Sequence, residues 1–174
     1  MYKRQIDVHS LQLKDVKGNT LSTIADGTFK VNKTGDYVRQ YPSTLVDNPS
    51  ARDWVWQVAL DENDNPVIAM VRISSDKNSH DYYYAKWNGH EWKKTFLGNA
   101  GGHFHQTPNL EKCYSAGMTI DPSNTNHVYC SLPVEGKQGK VYEIMKFILN
   151  EAGEVVSTAV SYTHLRAHET RHDL

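Results

Sequence analysis

The sequence predicts an all-β fold, and three observations support this class. Aromatic residues are plentiful, with ten Tyr, four Trp and four Phe in 174 residues. Short runs rich in aromatic and β-branched residues alternate with turns of Asn, Asp and Gly, a composition typical of strands joined by tight loops. No segment between Ile6 and Thr158 shows a convincing helical period. We therefore expect short antiparallel strands throughout this range.

Four strands are predicted between Trp54 and Gly98. Their sequences are WVWQVALD, PVIAMVRIS, DYYYAKW and EWKKTFLG. The turn ENDN, a polar loop and the Asn88-Gly89 turn separate them, and Asn-Gly is a strong hairpin signal. Four strands joined in this order form an antiparallel meander of the size of one β-propeller blade.

The same pattern recurs about sixty residues further along the chain. Three pairs of positions match: Asp61 with Asp121, Lys86-Trp87 with Lys146-Phe147 and, after a one-residue insertion, Val67 with Val128. Repetition of a four-stranded unit favours a radial array of sheets, the architecture of a β-propeller. Two unrelated hairpin pairs in one sandwich are the alternative.

The repeat divides the chain into predicted segments. Residues 6–50 are predicted to hold the outer strands of one blade and the crossover to the next, 51–100 a complete blade, and 101–159 a further, truncated blade. Propellers close with about four to eight blades. We therefore expect a fragment of a propeller whose remaining blades are missing and whose sheet edges are open.

The two ends of the chain predict an origin outside the native protein. The stretch HETRH at 168–172 matches the H-E-x-x-H pattern of zinc proteases. However, Met1–Gln5 and Val160–Thr170 can both be translated from one sequencing-library adapter, read on opposite strands. We therefore expect residues 1–5 and 160–174 to be adapter-derived, and the zinc motif to carry no function.

Composition limits the partners that the chain can have. Nineteen basic and 20 acidic residues give a net charge of −1, which argues against binding to nucleic acid or to an anionic membrane surface. No apolar run is long enough to cross a bilayer, and no signal peptide is evident. Cys113 and Cys130 provide neither a disulfide framework nor a Cys-rich zinc site. No metal or other cofactor is predicted.

Arg72 and Tyr114 are the predicted catalytic residues. Arg72 interrupts an apolar strand, where a guanidinium needs a partner or a pocket, and it suits bidentate capture of a carboxylate. An ion pair with a neighbouring Asp or Glu is the alternative. Tyr114 opens the inner strand of the second repeat, and a tyrosine with a tuned pKa can transfer protons. Packing in the central channel is the alternative.

Four further residues are predicted to bind substrate. Trp56 shares a strand face with Trp54, and one of the two is expected to stack on a sugar ring while core packing explains the other. His103 and His105 share one face if their stretch is extended, where they could bind a metal or a sugar carboxylate; solvated or hydrogen-bonded loop histidines are the alternative. His80 opens the third strand, beside the Tyr82-Tyr83-Tyr84 ladder.

The stretches WVWQVALDENDNPVIAMVRISSDKNSHDYYYAKWNGHEW and YSAGMTIDPSNTNHVYCS resemble the BNR-repeat-containing propeller proteins of bacteria, a sialidase-like branch that includes ulvan lyases. For its lyase members, this resemblance implies a seven-bladed propeller in which an Arg neutralises a uronate carboxylate while His and Tyr transfer protons. By its position in the blade, Arg72 matches that Arg. Tyr114 likewise matches a tyrosine of the family's site. The expected catalytic tyrosine falls on Trp56, which has no acidic proton suited to that role.

The predicted function of the parent protein is therefore lyase cleavage of an acidic, uronate-containing polysaccharide by β-elimination. A non-catalytic glycan-binding propeller is the first alternative. A sialidase-like hydrolase is the second, and the absence of the S-x-D-x-G-x-x-W sequence disfavours it. The resemblance also implies an extracellular or periplasmic location, and the fragment alone is expected to be inactive.

Overall fold

A computed structural model describes residues 4–25, 52–74, 79–101, 115–136 and 139–162. The chain divides into two compact units, Met1–Ala51 and Arg52–Leu174. In the described ranges every regular element is a β-strand, which confirms the all-β prediction. The same ranges contain no helix that is long and apolar enough to span a membrane.

The first unit contains sheet I, an antiparallel sheet of three short strands. These are β1 (Gln5–Asp7), β2 (Gln12–Lys14) and β3 (Thr20–Thr23). Asp15 closes the β2–β3 hairpin, because its carboxylate accepts hydrogen bonds from the backbone N–H groups of Lys17 and Asn19, both at 2.9 Å. Sheet I thus has its own local stabilisation at the turn.

The second unit begins with sheet II, a four-stranded antiparallel meander. Its strands are β4 (Arg52–Leu60), β5 (Pro66–Ile73), β6 (His80–Trp87) and β7 (Trp92–Asn99). Each predicted strand is therefore present. A bulge interrupts β4, since Val55 pairs with Met70 and Gln57 pairs with Ala69, leaving Trp56 as the extra residue.

Sheet III repeats this meander in the second half of the unit. Its strands are β8 (Met118–Asp121), β9 (Asn124–Gly136), β10 (Gly139–Leu149) and β11 (Val155–Tyr162). Sheets II and III are not closed into a barrel, and their order and antiparallel pairing are those expected of neighbouring propeller blades.

Strand pairing shows that one predicted match between the two repeats is wrong by one residue. Lys86 pairs with Val67, whereas its counterpart Lys146 pairs with Tyr129 and not with Val128. The predicted match of Val67 with Val128 is therefore wrong by one position. The reason is local, because the pairing of β8 with β9 changes register between Ile120 and Asp121, where three residues of β9 separate the partners Val128 and Asn124.

The main core lies between sheets II and III. Tyr82 and Tyr84 project from sheet II into this core and are fully buried, while Tyr83 lies on the opposite face, as strand alternation predicts. The other buried apolar members are Val67, Ala69, Val71, Leu97, Ala100, Met118, Ile120, Val128, Cys130, Phe147 and Leu149. Burial of so much apolar surface fixes how the two sheets pack together.

One hairpin design recurs in three turns, Asp15–Asn19, Asp61–Asn65 and Asn150–Glu154. In each turn the side chain of the first residue accepts a hydrogen bond from the backbone N–H of the fifth residue. The fourth residue has a positive φ, and Asp64 takes this conformation at +60° where the other two turns have Gly. Asp tolerates the left-handed region better than most residues, which explains the substitution.

Candidate functional site

The meander order places two of the predicted site residues at one end of sheet II. Arg72 lies near the end of β5 and His80 at the start of β6, and the Ile73–His80 pairing brings both to the same end. The Asp61–Asn65 turn lies at the opposite end of the same sheet. Sheet II therefore carries Arg72 and His80 at one end and the acidic Asp61–Asn65 turn at the other.

Arg72 forms an ion pair across the sheet. Its Nε lies 3.2 Å from Oδ1 of Asp53, whose side chain is 1% exposed, while the Arg72 side chain is 27% exposed. The guanidinium carbon also lies 5.3 Å from the centre of the Tyr83 ring, close enough for a cation–π interaction. The ion pair that the sequence left as an alternative is thus present. The Arg72 side chain nevertheless remains partly exposed to solvent.

Trp56 occupies the β4 bulge and reaches sheet III. Its ring lies over Gly117, just before β8, where an added Cβ would be 3.7 Å from the indole. The side chain nevertheless remains about two-fifths exposed, as does that of Trp54. Bulges re-aim side chains and are frequent beside binding sites. Two partly exposed indoles therefore lie on one edge strand.

Arg72 and Trp56 do not lie together. Val71 points into the core between sheets II and III, so its neighbour Arg72 projects from the other face of β5. Trp56 contacts Gly117 on the core side of sheet II. The two side chains therefore lie on opposite faces of sheet II, and a ligand that contacts both has to be an extended chain that passes over the edge strand β4.

Tyr82 marks the point where the two sheets meet near Gly117. Its hydroxyl accepts a hydrogen bond of 2.8 Å from the Gly117 backbone N–H. Burial raises the pKa of Tyr82, and hydrogen bonds from Ser115 and Gly117 oppose that effect. The raised pKa keeps the phenol neutral at physiological pH, so Tyr82 acts as a structural contact between the sheets.

The other predicted site residues divide into two groups. His80 is fully buried, and its backbone accepts a 2.6 Å hydrogen bond from the Ala100 N–H. Tyr114, His103 and His105 lie outside the described residues. Their predicted roles remain predictions.

A charged cluster that the sequence did not predict lies at the opposite end of the two sheets. Lys86 of β6 is almost completely buried, and its Nζ lies 2.9 Å from Glu151 and 3.4 Å from Asp61. It also donates a 3.1 Å hydrogen bond to the side chain of Asn126. Because Glu151 and Asn126 belong to sheet III, Lys86 connects the two sheets. The Lys86–Lys146 repeat was visible in the sequence, but the burial of only one lysine was not.

The carboxylates of this cluster are held in the charged form. Burial raises the pKa of Asp61, but hydrogen bonds from Asn65 and Asn63 and the charge of Lys86 outweigh it, so the net pKa is lowered. The hydrogen bond from Lys86 lowers the pKa of Glu151. Burial and the charges of Asp61 and Glu151 raise the pKa of nearby Tyr84. The cluster is therefore an ion network in which Asp61 and Glu151 are charged near neutral pH.

A polar cleft of about 360 Å³ adjoins the cluster. It is lined by Leu60, Asp61, Glu62, Pro122, Ser123, Asn124, Thr125, Asn126 and Glu151. No group of three or more His, Cys, Asp or Glu side chains that could hold a metal ion occurs within the described ranges. Two of the acidic residues around this cleft, Asp61 and Glu151, contact Lys86, and Asp61 also accepts hydrogen bonds from backbone N–H groups.

The fold and these contacts define a protein of repeated four-stranded β-sheets joined face to face. Residues 1–100 match the model of a protein family described as "BNR repeat-containing family member". The match spans more than half of the chain, so the chain belongs to the BNR repeat-containing family, as its resemblance implied. No curated protein and no solved structure matches the chain.

Proposed function

We propose that the chain is part of a carbohydrate-active propeller protein and that it binds a glycan along strand β4. The observation that carries this proposal is the pair Trp54 and Trp56, each about two-fifths exposed on an edge strand. Aromatic faces with a few nearby polar groups are common in ligand sites, and indoles combine a large apolar surface with an N–H donor. BNR-repeat membership agrees with a carbohydrate ligand.

An acidic glycan is the favoured ligand class. Arg72 retains an accessible surface at the end of β5 while Asp53 orients its guanidinium. A guanidinium held in this way can hydrogen-bond a carboxylate that arrives from solvent. Lys94, whose Nζ lies 5.2 Å from the centre of the Tyr83 ring, adds a second positive charge on the same face as Arg72.

Polysaccharide lyase activity of the parent protein is the second candidate, and the accessible surface of Arg72 favours it. In that reaction Arg72 would neutralise the uronate carboxylate and so acidify the C5 proton. A base would remove this proton as the C4–O bond breaks and a C4–C5 double bond forms, while the leaving oxygen takes up a proton. Tyr114 is the proposed proton-transfer residue, and His103 and His105 are proposed to bind the substrate.

Titration calorimetry with a panel of acidic and neutral polysaccharides tests the binding proposal. Trp56→Ala and Trp54→Ala should each weaken glycan binding, whereas Phe96→Ala, an exposed aromatic on β7, should not. Equal binding by all three variants and the unsubstituted chain would contradict the role of the indoles. Formation of an ultraviolet-absorbing unsaturated product by the full-length parent, lost in its Arg72→Ala variant, would support the lyase; binding without that product would favour a binding module.

A further inference from the structure

The turn between β6 and β7 contains a dipeptide that the proposed function does not use. Asn88 and Gly89 form the only Asn-Gly pair in the chain, and every other Asn is followed by a residue that has a side chain. The pair lies between Trp87, the last residue of β6, and Trp92, the first residue of β7. Asn88, Gly89 and the next two residues are exposed. The Asn-Gly pair is therefore accessible to water.

An Asn side chain that precedes Gly can react with the backbone of its own chain. The backbone nitrogen of Gly89 is the nucleophile, and the side-chain amide carbon of Asn88 is its target. A Cβ on the following residue hinders this approach, and glycine has none. Apart from the two chain neighbours of Gly89, no residue places a heavy atom within 4 Å of a Cβ built on it. The surroundings of the turn therefore leave room for the two groups to meet.

The folded turn holds the side chain of Asn88 in one position. Its oxygen accepts hydrogen bonds from the backbone N–H groups of His90 and Glu91, both at 2.9 Å. The backbone N–H of Asn88 also donates a 3.2 Å hydrogen bond to the Glu91 carbonyl. Attack by the Gly89 nitrogen changes the torsion angles of Asn88 and disrupts these contacts. The reaction therefore starts from a locally opened turn, and such openings require little free energy at an exposed loop.

We propose that Asn88 is a site of spontaneous modification, at which the side-chain nitrogen is lost as ammonia. The Gly89 nitrogen forms a bond to Cγ of Asn88 and gives up its proton, while the bond from Cγ to the side-chain nitrogen breaks and that nitrogen leaves as ammonia. Water then opens the cyclic imide at either carbonyl carbon, supplying a hydroxyl group to that carbon and a proton to the ring nitrogen. One opening yields aspartate, and the other yields isoaspartate, in which the main chain runs through the former side chain.

The two products should affect the hairpin differently. Aspartate keeps an oxygen where Asn88 accepts its hydrogen bonds, and Asp15 and Asp61 already have this role in two other turns. Isoaspartate instead adds a methylene group to the main chain of the turn and moves the carboxylate. The change adjoins Trp87 and Trp92, whose ring centres lie 5.8 Å apart. Isoaspartate should therefore loosen this end of the β6–β7 pairing, whereas aspartate should not.

Peptide-mapping mass spectrometry during incubation at mildly alkaline pH tests the proposal. The peptide that contains Asn88 should gain the mass that replacement of an amide NH2 by OH adds. In water enriched in heavy oxygen, the product should take up one heavy oxygen atom. Asn150 is the internal control, because it accepts a hydrogen bond from the backbone of Glu154 in a similar turn but is followed by Glu151. Its peptide should stay unmodified over the same period.

Two rate comparisons separate the chemistry from the effect of the fold. Alanine is strained at the Gly89 φ of 95°, so Gly89→Ala is compared with the unsubstituted chain while both are unfolded in urea. The variant should react about tenfold or more slowly, because of its added Cβ. The unsubstituted chain should react about tenfold or more slowly when folded than in urea, because the folded turn holds Asn88.

Asn88→Asp supplies the aspartate product directly. This variant should unfold at the same urea concentration as the unsubstituted chain, whereas the purified isoaspartate form should unfold at a lower one. The proposal is overturned if the Asn88 peptide gains no mass, if the Asn150 peptide gains mass equally fast, or if Gly89→Ala reacts as fast as the unsubstituted chain in urea. Equal rates in the folded and unfolded chains would contradict the protective role of the turn.

Discussion

The side chain of Gln57 pairs with the backbone of Ile120 as a neighbouring strand would. Its carbonyl accepts a 2.7 Å hydrogen bond from the Ile120 N–H, and its amide donates a 3.3 Å hydrogen bond to the Ile120 carbonyl. The Thr119 hydroxyl donates a further hydrogen bond of 2.8 Å to the same Gln57 carbonyl. One side chain of sheet II thus satisfies both backbone groups of a residue in sheet III.

Replacement of Gln57 should therefore loosen the contact between the sheets. We expect Gln57→Leu to lower the free energy of unfolding by about 1–3 kcal/mol, because two backbone groups at Ile120 lose their partners while an apolar side chain remains. Urea unfolding followed by tryptophan fluorescence measures the change. Thr119→Val, which removes only the exposed hydroxyl contact, should cost much less; an equal cost would contradict the backbone-pairing role.

Lys86 and Lys146 should differ sharply in their contribution to stability despite their equivalent positions. Lys86→Met should destabilise the chain by about 3 kcal/mol, because the buried carboxylate of Asp61 loses its cation. Lys146→Met should change stability by less than about 0.5 kcal/mol, as is usual at accessible sites. Urea unfolding at a low protein concentration measures both. Similar losses of unfolding free energy in the two variants would show that burial does not increase the contribution of Lys86 to stability.

Stability should fall in acid through the carboxylates around Lys86. The pKa values of Asp61 and Glu151 are lowered from 3.8 and 4.5 in the folded chain, so the unfolded chain takes up protons first as the pH falls. Their contribution is complete above those ordinary values and is lost as the pH falls through the lower folded-state values. Urea unfolding over an acid pH series should show this loss. Glu151→Gln should flatten the decline, and an unchanged decline would exclude Glu151 as a contributor.

Gly98 and Leu132 are expected to be energetically coupled. A Cβ on Gly98 would lie 2.9 Å from Cδ1 of Leu132, closer than normal packing allows. Gly98→Ala should therefore cost about 1–3 kcal/mol through overpacking. In the Leu132→Ala background the same change should cost less, because the obstructing methyl groups are gone. A double-mutant cycle measures this coupling, and strict additivity would argue against the close contact.

Local patterns predicted most of the strands correctly. Alternating aromatic and β-branched residues predicted β4 to β7, and the sixty-residue repeat predicted sheet III. The position of Trp56 in a bulge was not predictable, because a bulge depends on how β4 pairs with β5. The match of Val67 with Val128 failed for the same reason, since pairing at Asp121 changes register without a distinctive sequence signal.

The candidate site was only partly predictable. The sequence indicated that Arg72 needs a partner, but the partner, Asp53, lies on a neighbouring strand and was identified only by cross-strand register. His80 was predicted to bind substrate, and the fold buries it. The Lys86 cluster was missed because Glu151 lies 65 residues from Lys86 in the chain.

By itself, the sequence determined the class of structure and its repeat, because strand alternation and turn chemistry act between near neighbours in the chain. Only the tertiary structure decided which copy of each repeated residue is buried. Lys86 and Lys146 occupy equivalent places in equivalent strands, yet one is enclosed by the next sheet and the other is not. Burial depends on what packs against a face, and that is a property of the assembled sheets.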